Sequence, residues 1–355
     1  MAEKIKMWRI KNRIIGEDQP VFIIAEAGVN HNGDLDIAHK LIDAAAEAGA
    51  DSVKFQTFIT EDLVSLETPS ANHHIANVKE TLSHFELIKK LQLPFSAFQE
   101  LKVHCEERDM IFISTPYDVR SAEFLIDLGV DILKIASSEM TNYPLLDVIR
   151  QSKIPVVIST GMNFWKEIAE SVNFVGEYND KICVLKCTSN YPASAESINL
   201  RGISKIKEAF PDCLVGFSDH SEGVEISLAA LGFGISMLER HFTFDKTWWG
   251  PDHKASMTPA EFNQFIHAVR KSEKALGSMD WDVQTEELSQ RNTMQKGIYA
   301  SKEIKRGEPV TMQNVKFLRP PRGMSLKEFY FEFCNKPAKA DIRTGQNITR
   351  AFFED

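Results

Sequence analysis

The feature that most constrains the fold of this chain is a regular alternation of apolar runs and helical patterns between residues 21 and 276. Eight runs rich in Val and Ile are each followed by a helical stretch or a helical crossover. Such runs, without strict polar–apolar alternation, are typical of parallel strands that are buried on both faces. Eight β/α units in roughly 255 residues match the size of a (β/α)8 barrel. The eight predicted strands are 21–28, 52–58, 110–116, 132–137, 156–161, 183–189, 214–220 and 236–243.

The alternative architecture for this alternation is a doubly wound open sheet. That fold usually carries a glycine-rich turn after its first strand, and no such turn follows the run 21–28. The sequence therefore predicts an α/β protein whose larger part is a TIM barrel.

Two segments lie outside the alternation. Residues 7–16 alternate weakly and then turn, which predicts a short hairpin before the barrel. The C-terminal part carries short strand-like pieces and two similar turns, at Gly307 and Gly345, which suggest a pseudo-repeated β structure. About sixty residues are marginal for independent folding, so we expect this small domain to dock onto a barrel. The predicted boundaries are 1–282 for the barrel domain, 283–295 for a linker and 296–355 for the small β-rich domain.

A long irregular stretch, 59–96, separates the second strand from its helix. Loops of that size inside a compact domain are usually functional lids or insertions. The stretch contains His73, His74 and Asn77, to which the sequence assigns no position in the fold.

Composition and charge exclude several classes of protein. The net charge is −9 and no basic block is present, so the electrostatic footprint of a nucleic-acid-binding protein is absent. No apolar run is long enough to span a bilayer, and the N-terminal residues lack a signal-peptide core. The five cysteines are scattered and form neither a disulfide framework nor a CxxC metal site. These observations predict a cytoplasmic protein that acts on small molecules rather than on nucleic acid or membranes.

Two histidines end the last two predicted strands. Alternate residues of a strand face the same side, so Ser218 and His220 share one face and Glu239 and His241 share another. If both faces point inward, two neutral imidazoles meet beside a carboxylate, an arrangement that suits a divalent metal. The alternative is that the two histidines only complete their strands through hydrogen bonds.

Two lysines lie within apolar strands, which is unusual. An unpaired buried ammonium is costly, so Lys54 and Lys134 each need an anion, and the sequence favours a phosphate or carboxylate ligand over ion pairs within the protein. Glu26 and Glu239 are candidates for proton transfer or for orienting a water molecule. Together these residues predict metal-assisted chemistry on an anionic substrate. Further polar residues at the strand ends are Gln56, Thr115, Ser137, Ser159, Ser189, Tyr191 and Ser218.

Ordered motifs along essentially the whole chain resemble the sialic acid synthases, a nonulosonic acid synthase family that includes N-acetylneuraminate and legionaminate synthases. The small C-terminal part is similar to the antifreeze-like (SAF) domain of that family through IKRGEPVTMQNV and LRPPRG. The barrel motifs include FIIAEAGVNHNGD (22–34), AGADSVKFQTF (48–58), LKIASSE (133–139), GFSDH (216–220), ERHFT (239–243) and GPDHKAS (250–256).

This resemblance implies a reaction. Phosphoenolpyruvate condenses with the open-chain aldehyde of an N-acylated hexosamine, expected to be N-acetylmannosamine, and gives a nine-carbon 2-keto acid and phosphate by C–O cleavage. The alternative acceptor is 2,4-diacetamido-2,4,6-trideoxymannose, as for a legionaminate synthase. An enzyme making a seven- or eight-carbon keto acid would usually lack the appended β domain. A non-enzymatic carbohydrate-binding protein would leave the buried lysines and the paired histidines unexplained.

The resemblance also assigns roles to residues of this chain. It implies Mn2+ as the expected ion, with Mg2+ or Co2+ as alternatives, and a domain-swapped homodimer in which an arginine of one subunit reaches the N-acyl group bound in the other. The implied metal ligands are His220 and His241. The implied catalytic residues are Glu26, Lys54, Lys134 and Glu239. The implied substrate-binding residues are Gln56, Thr115, Ser137, Ser159, Ser189, Tyr191, Ser218, Asp252 and Arg319.

Three departures from the family pattern bear on which sugar fits. Position 189 is serine where many members have asparagine, and the arginine motif at 319–323 contains a second proline. Two adjacent tryptophans, Trp248 and Trp249, precede the GPDH motif. None of these departures affects the residues implied in the central chemistry.

Overall fold

The computed structural model describes residues 6–69 and 82–353, and His73, His74 and Asn77 lie outside these ranges. The chain divides into two compact units, residues 1–277 and 278–355. This division falls a few residues before the predicted boundary at 282. Among the described residues, no helix is both long and apolar enough to cross a bilayer.

A two-stranded antiparallel hairpin precedes the barrel, as predicted for residues 7–16. It consists of β1 (Met7–Ile10) and β2 (Arg13–Gly16). Exposed and buried residues alternate along β1, and the buried side chains of the hairpin pack with residues of the barrel interior. The hairpin therefore closes the end of the barrel at which the strands begin.

The first unit is a closed barrel of eight parallel strands, which confirms the predicted fold class. Each strand pairs with the next in sequence, and the last pairs with the first to close the barrel. The strands are β3 (Phe22–Gly28), β4 (Ser52–Thr57), β5 (Ile111–Pro116), β6 (Ile132–Ile135), β7 (Val156–Ser159), β8 (Ile182–Cys187), β9 (Leu214–Asp219) and β10 (Met237–His241).

Helices follow the strands and cover the outside of the barrel, where apolar side chains of both pack into the largest core. Local signals set their ends: Asp34 caps the first helix by accepting from the Ile37 N–H, and Gly49, at φ 89°, ends it. The helices are α1 (Leu35–Ala48), α2 (Thr60–Leu63), α3 (His84–Leu91), α4 (Phe95–Glu107), α5 (Val119–Leu128), α6 (Tyr143–Ser152), α7 (Trp165–Gly176), α8 (Ala195–Ile198), α9 (Gly202–Ala209), α10 (Glu225–Leu231) and α11 (Pro259–Leu276).

The barrel interior has an apolar layer at the ends where the strands begin. Because alternate residues of a strand face the same side, the next inward position on each strand lies one layer higher. Ile24 is thus followed inward by Glu26, and Ile132 by Lys134, so charged groups lie directly above the apolar layer. The apolar layer and the hairpin form one cluster of Trp8, Ile10, Ile15, Phe22, Ile24, Ile111, Ile113, Ile132, Val157, Cys183, Leu185, Leu214 and Met237.

The second unit contains a short antiparallel pair, β11 (Gly297–Ala300) and β12 (Val315–Leu318), around its own apolar core. The segment predicted as a linker holds a helix, α12 (Leu288–Met294), and a further short helix, α13 (Leu326–Glu328), follows β12.

The two similar turns of the second unit have the same geometry. Their central glycines have φ values of 86° and 79°. In one turn the Lys305 N–H donates to Glu308 Oε2 at 3.1 Å, and in the other the Arg343 N–H donates to Gln346 Oε1 at 2.9 Å. The two turns that suggested a pseudo-repeat therefore share one local geometry, while a wider repeat of the β structure stays a prediction.

Candidate active site

A single cavity of about 410 Å³ collects every site residue that was predicted within the barrel. It lies at the ends of the strands opposite the hairpin, where TIM barrels carry their active sites. Arg319 belongs to the second unit and is exposed. The predicted residues that line the cavity are Glu26, Lys54, Gln56, Thr115, Lys134, Ser137, Ser159, Ser189, Tyr191, Ser218, His220, Glu239, His241 and Asp252.

The floor of the cavity is a buried group of two lysines and two glutamates. Lys54 Nζ lies 2.7 Å from Glu26 Oε2 and 3.7 Å from Glu239 Oε2. Closure of the barrel places β3 between β4 and β10, because Glu26 lies next to Lys54 on one side and next to His241 on the other in the strand register. The lysine on β4 therefore lies near carboxylates of both β3 and β10. The expectation that an external anion would pair with both lysines therefore needs correction: Lys54 is already paired within the protein.

Lys134 differs from Lys54 in its partners. Its Nζ donates to Ser159 Oγ at 2.6 Å and to the Ile135 carbonyl at 3.2 Å. Over residues 6–69 and 82–353, no carboxylate lies within ion-pair distance of this ammonium. Lys134 is 3% exposed and lines the cavity. Glu239 acts on its charge from beyond ion-pair distance, so an anionic ligand would supply a direct ionic contact.

The pKa values of the two carboxyl groups on the floor are shifted in opposite directions. Burial raises the pKa of Glu26 to about 6, with Glu239 adding to the shift and Lys54 opposing it. Burial acts in the same direction on Glu239, but Lys134 and Lys54 outweigh it and hold the pKa of that carboxyl below its usual value. Burial lowers the pKa of Lys134, whereas the two carboxylates outweigh burial at Lys54 and raise its pKa.

Hydroxyl and amide groups surround the floor. Thr115 Oγ1 accepts from Lys54 Nζ at 3.3 Å, and Ser218 Oγ donates to Glu239 Oε1 at 2.9 Å. Gln56 Nε2 donates to Glu26 Oε1 at 3.1 Å, and Ser137 Oγ accepts from the Gly161 N–H at 2.9 Å. Such groups suit the oxygens of a small phosphorylated carboxylate.

The two predicted histidines lie side by side, with ring centroids 5.1 Å apart. Tyr191 packs against both rings, at 4.2 Å from His220 and 5.5 Å from His241. His220 Nδ1 is 2.8 Å from the Thr188 carbonyl oxygen, which can only accept, so Nδ1 carries the proton. The Nε2 lone pair of His220 is then available to a metal.

The residues present fit a divalent cation held in part by the protein. Burial, reinforced by the neighbouring His220, lowers the pKa of His241 well below its usual value and keeps this imidazole neutral. His241 Nδ1 is buried and has no hydrogen-bond partner among the described residues. Within that part of the chain, no three His, Cys, Asp or Glu side chains form a metal cluster. A cation at His220 and His241 would therefore take its other ligands from substrate and water. Asp252, whose pKa burial raises to about 6, lines the same cavity.

Several cavity residues were not found from the sequence. Glu139 and Cys187 line the cavity. Because alternate residues of β8 face inward, Cys187 could have been identified from its position two residues after Leu185. Burial alone would raise the pKa of the Cys187 thiol, but His220 outweighs it and the pKa is about 7.

Gly161 is a further residue that the site requires. A Cβ at this position would lie 2.9 Å from Ser137 Oγ and 3.0 Å from the Ser189 backbone nitrogen. Only glycine lets these two loops approach each other so closely.

Two polar residues of the matching motifs have structural positions instead. Asp219 faces away from the cavity and pairs with Arg240, whose Nη1 lies 2.6 Å from Asp219 Oδ2. His253 is hydrogen-bonded to Thr243 Oγ1 at 2.6 Å and to Asn32 Oδ1 at 3.1 Å. Polar residues at the end of a strand therefore line the cavity when they face inward, and stabilise the fold through hydrogen bonds or ion pairs when they face outward.

Comparison with known proteins agrees with this arrangement. The model of the NeuB family matches residues 41–280 of the chain. The chain belongs to the NeuB family. It is 39% identical over 329 residues to N,N'-diacetyllegionaminic acid synthase of Campylobacter jejuni, covering 92% of this chain and 98% of that protein. It is 37% identical over 303 residues to N-acetylneuraminate-9-phosphate synthase of Homo sapiens, covering 84% and 83%.

A solved structure gives the same result. The N-acetylneuraminic acid synthetase of Leptospira borgpetersenii, determined in complex with citrate, superposes with a TM-score of 0.71 at 32% identity. The match covers 82% of this NeuB-family chain and 96% of that chain. The resemblance to sialic acid synthases is thus confirmed, while the likeness of the second unit to an antifreeze-like domain stays a prediction.

Proposed function

We propose that this NeuB-family protein condenses phosphoenolpyruvate with the open-chain aldehyde of an N-acylated hexosamine, giving a nine-carbon 2-keto sugar acid and phosphate. The observation that carries the proposal is the convergence of Lys54, Lys134, His220 and His241 in one cavity. N-acetylmannosamine is the expected acceptor, and 2,4-diacetamido-2,4,6-trideoxymannose is the alternative. The names of the relatives, which are synthases of sialic and related acids, support the reaction class.

Phosphoenolpyruvate binding is assigned to the lysine side of the floor. Among the described residues, Lys134 has no carboxylate within ion-pair distance, although Glu239 acts on its charge from farther away. Ser159 is already in contact with its ammonium. The phosphate and carboxylate of phosphoenolpyruvate carry the negative charge that this ammonium needs. Ser137 and Ser189 border the same loop pair and offer further hydrogen bonds.

The two carboxylates are assigned different tasks. When C3 of phosphoenolpyruvate attacks the aldehyde carbon, positive charge develops at C2. Glu239, kept ionised by Lys134 and Lys54, is suited to stabilise that charge electrostatically. Glu26 lies next to Lys54 and is suited to deliver a proton to the aldehyde oxygen as it becomes a hydroxyl.

The reaction then ends at C2. Water adds there, and phosphate leaves with cleavage of its C–O bond, so the oxygen that bridged C2 and phosphorus departs with the phosphate. When bound at His220 and His241, a divalent cation, expected to be Mn2+ with Mg2+ or Co2+ as alternatives, supplies Lewis-acid polarisation of a carbonyl oxygen.

The decisive assay is release of phosphate from phosphoenolpyruvate with N-acetylmannosamine and Mn2+. Bridging 18O should appear in the phosphate, as C–O cleavage requires. Release only with arabinose 5-phosphate or erythrose 4-phosphate would favour a synthase of eight- or seven-carbon keto acids, and no release with any acceptor would refute the enzymatic assignment.

A matched pair of lysine variants tests the residue assignment. Lys134→Met should raise the KM for phosphoenolpyruvate by at least about a hundredfold, since a charged hydrogen-bonding partner of the ligand is lost. Lys186, on the neighbouring strand β8, donates to the Cys187 carbonyl and does not line the cavity. Lys186→Met should leave that KM within about threefold, and equal effects of both variants would contradict the assignment.

A domain-swapped homodimer is proposed on the resemblance alone. In it, Arg319 of the partner subunit would reach the N-acyl group, for which a guanidinium is suited because it donates several hydrogen bonds in a fixed geometry. Sedimentation of the full chain would test the dimer.

A further inference from the structure

The buried side chain of Asn30 lies outside the lining of the cavity, although it belongs to the motif 22–34 that the family shares. Asn30 is 1% exposed, and neither it nor the four residues that follow it line the cavity. It lies two residues after β3, in a turn in which its N–H donates to the Ala27 carbonyl at 2.8 Å. Any effect of Asn30 on the reaction must therefore pass through the residues that its side chain contacts.

The first contact of this side chain is with the residue that follows His241. Asn30 Nδ2 donates to the Phe242 carbonyl at 2.8 Å. The Phe242 N–H donates to the Glu26 carbonyl at 2.8 Å, so in a parallel ladder the next donor to the Phe242 carbonyl would be the Gly28 N–H. β3 ends at Gly28, whose φ is 54°, and Asn30 Nδ2 donates instead. The amide thus continues the pairing of β3 with β10 just beyond His241.

The second contact leads to Asp252. Asn30 Nδ2 also donates to Ser256 Oγ at 2.9 Å, and Ser256 Oγ donates to the Asp252 carbonyl at 2.7 Å. Ser256 is 1% exposed and does not line the cavity, whereas Asp252 does. One hydroxyl group therefore connects the Asn30 amide to the backbone of a residue for which the resemblance implies a contact with the hexosamine.

The chemistry of the partners fixes the direction of both bonds. A carbonyl oxygen can only accept, so the group of Asn30 that faces the Phe242 carbonyl is the NH2 group. The hydroxyl hydrogen of Ser256 is used at the Asp252 carbonyl, so Ser256 Oγ accepts from Asn30. Asn30 Oδ1 is buried and has no hydrogen-bond partner within residues 6–69 and 82–353. Both connections therefore depend on the two hydrogens of one amide nitrogen.

We propose that Asn30 is a positioning residue, whose amide holds the backbone beyond the implied metal ligand His241 and the backbone of Asp252 in a fixed relation. A cation at His241 and a hexosamine at Asp252 then meet at a set spacing, without contact between Asn30 and either of them. Such spacing matters because a misplacement of about 1 Å costs on the order of a hundredfold in rate. The inference rests on the proposed function and adds to it a residue behind the cavity.

Two variants test the two connections. Asn30→Leu keeps the branched shape and removes both hydrogens, and Ser256→Ala removes only the connection to Asp252. Phosphate release is measured with N-acetylmannosamine, or with 2,4-diacetamido-2,4,6-trideoxymannose if the wild type uses only that sugar. Binding of Mn2+ to the protein without substrates is measured from the electron paramagnetic resonance signal of free Mn2+. Asn30→Leu should raise both the KM for the hexosamine and the Kd for Mn2+ about tenfold, the factor expected for one net hydrogen bond.

Ser256→Ala should raise the KM for the hexosamine by a similar factor and leave the Kd for Mn2+ within about twofold. The matched control is Asn179→Leu. Asn179 is 2% exposed, and its Nδ2 donates to the Ile154 carbonyl at 2.7 Å, but it precedes β8 at the end of the barrel opposite the cavity. This control should lower Tm as Asn30→Leu does and change neither KM nor Kd. In all three variants the KM for phosphoenolpyruvate should stay within about threefold.

The outcomes separate the inference from the proposed function. A lower Tm for Asn30→Leu with unchanged KM and Kd, or equal increases of KM for both substrates, would overturn the inference while the proposed function stands. If Asn30→Leu fails to fold by circular dichroism, Ser256→Ala decides, and an unchanged KM for the hexosamine would overturn the inference. Absence of phosphate release by the wild type would refute the proposed function and the role at Asp252, whereas Mn2+ binding needs no turnover and would still decide the role at His241.

Discussion

The buried ion pair between β9 and β10 leads to a sharp stability prediction. Asp219 and Arg240 are 1% and 2% exposed, and their contact of 2.6 Å is supported by Ser221 and Ser227, which donate to the Asp219 carboxylate. Asp219→Asn preserves the shape of the side chain but leaves a buried guanidinium without its counter-ion. Breaking a buried pair in this way costs about 3–5 kcal/mol.

This cost is large enough to measure by heating. For a unit of this size, about 1 kcal/mol shifts Tm by about 2–3 °C, so Asp219→Asn should lower Tm by roughly 6–15 °C. The assay is far-UV circular dichroism at two heating rates, because an irreversible transition would depend on the rate. Activity at 25 °C should persist in the folded fraction, since Asp219 points away from the cavity.

Two further variants make the test specific. Asp147 pairs with Arg150 at 2.7 Å, but its side chain is 40% exposed, so Asp147→Asn should cost at most about 1 kcal/mol. The double variant Asp219→Asn/Arg240→Met removes both charges and should regain most of the lost Tm. The reasoning would be refuted if Asp219→Asn lowered Tm no more than Asp147→Asn, or if the double variant were less stable than the single one.

Four other predictions concern the site and its surroundings. His220→Ala and His241→Ala should each abolish phosphate release while Tm changes by only a few degrees, and full wild-type activity after EDTA treatment would contradict a metal at these residues. Gly161→Ala should raise the KM for phosphoenolpyruvate about tenfold, because a methyl group there displaces the two adjacent serine hydroxyls; steady-state kinetics with phosphoenolpyruvate varied checks this. Burial lowers the pKa of His31 to about 4, so the unfolded chain takes up a proton below pH 6.5 that the folded chain refuses, and stability falls as the pH decreases toward 4. Relative to His31→Asn, the wild type should lose about 2 kcal/mol of unfolding free energy between pH 7.5 and 5, measured by urea titration. Arg319→Ala should raise the KM for the hexosamine far more than the KM for phosphoenolpyruvate, and equal effects would exclude a specific contact with the N-acyl group.

The barrel and its site residues could be predicted from the sequence because their signals are local. A run such as MIFISTP marks a buried strand by itself, and once eight such runs form a closed parallel barrel, their ends must meet at one rim. Because alternate residues of a strand face the same side, their order along each strand then decides which polar residues face inward. For that reason Thr115 and Ser159, chosen as strand-end residues, line the same cavity.

What the sequence missed depends on contacts between distant parts of the chain. The partners of Lys54 come from β3 and from β10. The predicted barrel makes these strands neighbours, but no local pattern shows that the lysine side chain reaches both carboxylates. The two short helices α2 and α3 were not predicted for a related reason. Helices α2 and α3 have 4 and 8 residues, shorter than helices that are stable alone, so packing rather than local propensity fixes them, as the Thr60–Gln92 contact does.

Along strands β9 and β10, residues that line the cavity alternate with residues that stabilise the fold. On β9 and β10, Ser218 and Glu239 face inward and contact each other at 2.9 Å, while Asp219 and Arg240 face outward and form the buried pair. The outward pair holds together the two strands that end in the paired histidines. A change to the outward pair should therefore act on the population of folded protein, whereas a change to the inward pair should act on turnover at constant stability. Measuring Tm and kcat for Ser218→Ala beside Asp219→Asn would separate the two effects, and a loss of kcat per folded molecule in Asp219→Asn would show that the faces are not independent.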